Sequence, residues 1–177
     1  MKLGKFTKNI SLCKMIGSSD SRNKCIFEVA KFKKDETLCE SVGPYFKDDC
    51  YFTLAQEKRD PNLCEKISEK DYVCELSKNG CYNKIAMLTE DPSVCERISE
   101  LFAKNNCISK IALEKNEPEL CEKLIGEVSY APYALSNDCY KKIAIRYKNS
   151  TLCEKIKNNF SDINECYKKT LGYVPQR

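Results

Sequence analysis

Apolar residues recur along this chain in two alternating settings. In the first, Leu or Val stands directly before a cysteine, and a second apolar residue follows three positions after it. The pairs are Leu12 with Ile16, Leu38 with Val42, Leu63 with Ile67, Val94 with Ile98, Leu120 with Leu124, and Leu152 with Ile156. A spacing of four places both side chains on one face of a helix, here called helix A. In the second setting a cysteine opens a Cys-Tyr or Cys-Ile pair, and an apolar residue and an alanine follow four and five positions later. These are Val29-Ala30, Leu54-Ala55, Ile85-Ala86, Ile111-Ala112 and Ile143-Ala144; the sixth instance has Thr170-Leu171 instead. This pattern predicts helix B. The recurrent alanine lets a neighbouring helix approach closely, beyond its value as a plain helix former.

Polar residues punctuate both elements. Four positions before each helix A cysteine stand Asn9, Asp35, Asp60, Asp91, Glu117 and Asn149. All but the glutamate are good N-caps, whose side chain accepts a hydrogen bond from an orphan N–H of the first turn. Pro61, Pro92 and Pro118 follow directly, where a missing N–H costs nothing. Two positions before each helix B cysteine stand Asn23, Asp48, Asn79, Asn105, Asn137 and Asn164. Read as caps, they place the start of helix B at the cysteine.

The cysteines give the period. From each helix B cysteine to the next helix A cysteine the step is 14 residues in all five instances, whereas the return step runs 12, 11, 17, 12, 18 and 13. A rigid element thus alternates with a variable one. The rigid part holds helix B, a tight corner at Asp-Pro and the first turn of the next helix A. The variable part is a loop, broken by Gly17, Gly43-Pro44, Gly126 and Ala131-Pro132. Six units follow, at about 9–34, 35–59, 60–90, 91–116, 117–148 and 149–177. A period in this range implies a stacked array with divergent end units.

Each helix B cysteine has two local candidate partners. Pairing across the rigid corner leaves an axial offset of roughly 7–8 Å on top of an interaxial separation of roughly 8–10 Å. A disulfide needs Cα atoms within about 7 Å. Pairing back across the loop is therefore preferred: Cys13–Cys25, Cys39–Cys50, Cys64–Cys81, Cys95–Cys107, Cys121–Cys139 and Cys153–Cys166. The stretch ERISELFAKNN can extend helix A in the fourth unit and carry its end away from Cys95, which opposes that one bridge. Each bridge contributes on the order of 3 kcal/mol in the chain-entropy account, and a unit this small buries too little to stand without such a staple. Cys74, in the insertion DYVCELSKNG, is left over. It is a buried free thiol, a cross-link to another chain, or a partner in a pairing outside the register.

The units D-P-x-[LV]-C-E-[KR]-I and C-[YI]-x-x-I-A resemble the cysteine-bearing helical repeats of uncharacterised exported proteins of archaea, from Asn9 to Leu171. That resemblance implies no activity and carries over no functional residue.

Composition narrows the function classes. The 177 residues carry 30 Lys and Arg against 26 Asp and Glu, with the signs interleaved. No basic block marks a nucleic-acid partner, and no apolar run reaches the length of a membrane span. With no histidine, no Cys-x-x-Cys and six glycines, the chain lacks Ser-His and Cys-His triads, Cys2His2 zinc ligands, redox-active dithiol motifs and phosphate-cradling loops. No catalytic residue, metal or cofactor is expected, and the chain is not read as an enzyme. Glu40, Glu65, Glu96, Glu122 and Glu154, each directly after a helix A cysteine, are read as a solvated face. Tyr51, Tyr82, Tyr140 and Tyr167 are read as packing between repeats with the hydroxyl at the edge. Tyr130 and Tyr133, in the insertion of the fifth unit, are the better candidates for an exposed binding contact, since insertions in repeat arrays often carry binding function.

The expectation is an all-α, right-handed solenoid of six two-helix repeats, one domain over residues 1–177, stapled by disulfides within each repeat. It would be extracellular or displayed on a cell surface, because disulfides persist in oxidising compartments. The cytoplasm of a hyperthermophile is the alternative, and high Lys and Glu with two Gln suits a thermostable protein. As partners it would take a protein or a glycan, or further copies of itself in a filament or coat. Alkylation of the unfolded, unreduced monomer should modify one thiol, at Cys74. A mass spectrum showing most cysteines modified would remove the bridged-repeat reading.

Overall fold

The computed structural model describes residues 9–68, 76–124 and 133–175, and these contain helices and no strand. Cys74 and Tyr130 lie outside the described residues. Six long helices alternate with six short ones. The long helices are α1 (Ser19–Lys33), α2 (Pro44–Lys58), α3 (Lys78–Thr89), α4 (Leu101–Lys115), α5 (Ala134–Tyr147) and α6 (Phe160–Leu171). The chain forms two compact units, Met1–Thr89 and Glu90–Arg177, divided in sequence between the third and fourth repeats.

The short helices are tighter than the spacing-four stripe predicts. Glu36–Ser41, Pro61–Lys66, Pro118–Lys123 and Ser150–Lys155 are 3-10 helices, while Ile10–Lys14 and Pro92–Cys95 are single α-turns. The second apolar residue of the stripe therefore lies past the helix end: Ile67 and Ile156 have extended backbone. The cap reading holds where the side chain is short. Asn9, Asp35, Asp60, Asp91 and Asn149 each accept a hydrogen bond from the N–H two residues on, at 2.9–3.2 Å. Glu117 makes no such bond.

The long helices begin three to six residues before their cysteine, so the second series of expected caps lies inside the first turns. Ser18, Gly43, Glu100, Tyr133 and Asn159 occupy the cap position instead. Glu100 accepts from the N–H groups of Phe102 and Ala103, so ELFAKNN joins α4 rather than extending the short helix of the fourth repeat. The residues expected as caps do something else. Asn137 accepts from the N–H of Lys157 and donates to its carbonyl, both at 2.8 Å. Asp48 accepts from the N–H of Ser68 at 3.0 Å and from its hydroxyl. At the same register a Cβ on Gly43 would come within 2.6 Å of the Asn23 amide, and glycine allows that approach. Each pair spans 20 residues, from a long helix to the main chain just past the next short helix. The side chain is a clip between repeats.

The constant interval has a second fastening at the corner. Lys34, Arg59, Glu90, Asn116 and Lys148 stand nine residues after their cysteines with φ between 51 and 56°, left-handed although none is glycine. The N–H groups of Asp35, Asp60, Glu117 and Asn149 donate back to the carbonyls of Ala30, Ala55, Ala112 and Ala144 at 2.9–3.0 Å. This six-to-one bond closes a Schellman motif. The alanine therefore supplies both the acceptor and a fully buried contact surface at these four corners.

Within each unit every short helix after the first is wedged between two long ones. Glu36–Ser41 packs on α1 and α2, and Pro61–Lys66 on α2 and α3. In the second unit Pro118–Lys123 packs on α4 and α5, and Ser150–Lys155 on α5 and α6. The bridges run from the wedge to the long helix of its own repeat: Cys13–Cys25, Cys39–Cys50, Cys64–Cys81, Cys95–Cys107, Cys121–Cys139 and Cys153–Cys166, with Cα separations of 5.5–5.7 Å. Eleven of these twelve cysteines are buried and Cys25 is partly so. Beside them lie the apolar residues of the long helices, from Ile26 and Val29 in α1 to Ile143 in α5, so each repeat has its core along the bridge. Asn137→Ala should remove two hydrogen bonds at a buried site and lower unfolding stability by about 1–3 kcal/mol, measured by urea titration without reductant.

Candidate functional site

Two ends of a repeat can be distinguished by what fixes them. The corner end, where a long helix turns into the next short one, is set by the Schellman bond, and the clip holds the main chain where the short helix ends. The loop end, where a short helix connects to its own long helix, is crossed by the disulfide and other side-chain contacts, and the length of chain between them varies.

Among the described residues the four most exposed large apolar side chains stand there, followed by Phe32 at the corner end of α1, 63% exposed. Met15 follows the first short helix and is 80% exposed; Tyr45, Phe102 and Phe160 lie in the first turns of α2, α4 and α6 and are 93%, 66% and 78% exposed. In the first turn of a helix the side chain leans back beyond the helix end, which leaves these rings clear of the core. Tyr133, at the start of α5, is 39% exposed, and its ring carries the Lys157 ammonium at 5.1 Å. A cation over an aromatic face holds the ring in place while leaving its edge free. The same Lys157 has its main chain clipped by Asn137. The sequence pointed to Tyr133 but not to Tyr45, Phe102 or Phe160. Their shared signal is an aromatic five or six residues ahead of a helix B cysteine.

The repeated glutamates and tyrosines meet one another. The hydroxyls of Tyr51, Tyr82, Tyr140 and Tyr167 donate to Glu40, Glu65, Glu122 and Glu154, the last two at 3.2 and 3.5 Å. Each pair lies beside the bridge of its own repeat. Lys47 donates to Glu40 at 2.7 Å and, with Tyr51, holds that carboxyl below its usual range. The tyrosine rings are buried and only their oxygens reach the carboxylate, so the glutamates are partners of the core's polar edge and not merely a solvated face. Where the fourth repeat has Ile108 in place of tyrosine, Glu96 faces Lys104 at 3.9 Å.

Electrostatics give these groups a holding role. Burial, then the charge of Glu122, push Tyr140 up to about 12. Burial and Glu40 push Tyr51 up in the same direction. Hydrogen bonds from Lys169 and Lys141 bring Glu165 down to about 2, and Asp162 in turn holds Lys141 charged. Among the described residues no cluster of three or more His, Cys, Asp or Glu is arranged to hold a metal ion. No helix among the described residues is long and apolar enough to cross a membrane.

No protein-family model, curated protein or solved structure matches the chain. The site is therefore read from its own chemistry: exposed aromatic and aliphatic side chains held at the loop ends of bridged repeats.

Tyr140 is protonated in its hydrogen bond, and its folded pKa lies above the unfolded value near 10. Its contribution is therefore complete below pH 10 and is lost as pH rises through about 12. Tyr140→Phe should flatten the fall in unfolding stability across that window in alkaline urea titrations.

Proposed function

We propose that the chain is a disulfide-stabilised helical-repeat module outside the cell, which holds a protein or glycan partner through its loop ends. In this reading the six hairpins continue as one solenoid, and the bridges, wedges and clips keep the loop ends in register. One observation carries the functional part. Among the described residues the four most exposed apolar side chains stand at the end of the repeat where length varies, with Phe32 the one comparably exposed side chain at a corner, which is held constant. Aromatic side chains supply large contact area with little conformational freedom to lose, which is why binding surfaces use them. The extracellular setting rests on six bridges in one short chain, which an oxidising compartment maintains.

The loop-end reading is tested with the triple variant Tyr45→Ser/Phe102→Ser/Phe160→Ser. These side chains are exposed, so urea unfolding should change by no more than about 0.5 kcal/mol per site. Binding to a defined glycan array, or to a purified surface protein of the source organism, should fall at least tenfold. A bound partner that the triple variant retains in full would remove the loop ends as the site.

A further inference from the structure

The two terminal repeats leave uncovered the two complementary halves of the contact that joins neighbouring repeats within each unit. In that contact a short helix packs on the long helix of the repeat before it, and the clip residue of that long helix grips the main chain just past the short one. The Leu or Val before the helix A cysteine is buried at Leu63, Val94, Leu120 and Leu152, and the apolar residue after the short helix is buried in repeats two to six. In the first repeat the corresponding Leu12 is 45% exposed and Ile16 partly exposed. Gly17 stands at the register of Gly43, Ser68 and Lys157, and nothing lies within 4 Å of the position its Cβ would take.

The other half lies on α6. Its apolar residues Phe160, Ile163, Tyr167 and Leu171 recur at helical spacing, so they share one face. No short helix among the described residues covers that face, and Phe160 and Leu171 remain exposed. A groove of about 250 Å³ runs along it, lined by Phe160, Ile163, Asn164 and Tyr167 and bordered by Val174 and Pro175. Asn164 is the clip residue of this repeat. Where Asn137 binds both main-chain groups of Lys157, the Asn164 side chain has no hydrogen bond among the described residues.

We propose that these halves join between copies of the chain. The short helix Ile10–Lys14 of one copy would seat against α6 of another, with Leu12 and Ile16 in the groove and the Asn164 amide on the main chain of Gly17. The contact would continue the packing already used between α5, its wedge and α6, so one copy supplies the next repeat for the other. It is heterologous, head to tail, and leaves both outer ends open to further copies. A second copy is the occupant because its first repeat carries the wedge, the two apolar side chains and the Gly17 N–H in the register that α6 presents. The Gly17 carbonyl accepts from Arg22 at 3.3 Å, so the N–H is the group left for the Asn164 side-chain oxygen. This inference rests on equivalent repeats and shares with the loop-end surface only Phe160; Leu12→Asp leaves that surface unchanged and separates the two.

Sedimentation velocity tests it, from about 1 µM to about 1 mM, with iodoacetamide present so that thiol cross-links do not contribute. The wild-type mass should grow with concentration. Leu12→Asp blocks one half and Phe160→Asp the other, and both positions are exposed, so each variant should fold with all six bridges, checked by mass mapping. Each alone should stay monomeric, and an equimolar mixture should give dimers that grow no further. Asn164→Ala should weaken association on the order of tenfold. A correctly bridged wild-type chain that stays monomeric at all concentrations overturns the proposal and leaves the repeat reading intact. Continued growth of either Asp variant alone, or a mixture that forms no dimer, overturns it as well.

Discussion

The structure depends on one covalent constraint, the link between a short wedge and the long helix beside it. A 3-10 turn of six residues makes few hydrogen bonds and is too short to persist alone. Here it contributes two apolar residues and a cysteine to the core, which it can do only if it is held against its neighbour. The bridge ties it to the long helix of its own repeat. Packing against the preceding long helix then fixes its orientation. Because each wedge touches two long helices, a constraint local to one repeat also orders its neighbour.

The constant interval is the visible result. Two fastenings span it: the bond from a corner back to the alanine carbonyl, and the clip from a long helix to the main chain past the next wedge. An added residue at the corner would break the first or displace the second. The loop is spanned by side-chain contacts, above all the disulfide, which tolerates sequence separations from 11 to 18 residues with nearly unchanged Cα distance. A bridge between side chains fixes two points and leaves the path between them free.

Much of this could be read from the chain because cysteine spacing and capping chemistry are explicit. The axial offset was enough to choose between the two local pairings, and the short caps Asp35, Asp60 and Asp91 mark their helices directly. Other features were hidden for physical reasons. Asn137 and Asp48 accept hydrogen bonds from main-chain N–H groups as caps do, so residue type does not say whether that N–H lies two residues or 20 residues away. The left-handed corners carry Lys, Arg, Glu and Asn where glycine would have announced them. Tyr45 and Phe102 resemble core residues in sequence, because burial is decided by where the helix begins, and that point lay several residues earlier than the clip residues suggested. Tyr51 and Glu40 are far apart in the pattern but adjacent across the bridge.

The freedom of the loop has an evolutionary consequence. Insertion or deletion is usually the harshest change a folded chain can suffer, since it shifts everything downstream. In this architecture a length change at the loop is absorbed before the next fastening and leaves every later repeat in place. Such a protein can diversify by indels at one edge while its remaining sequence stays under tight selection, and six sites for that experimentation are distributed along a single short polypeptide.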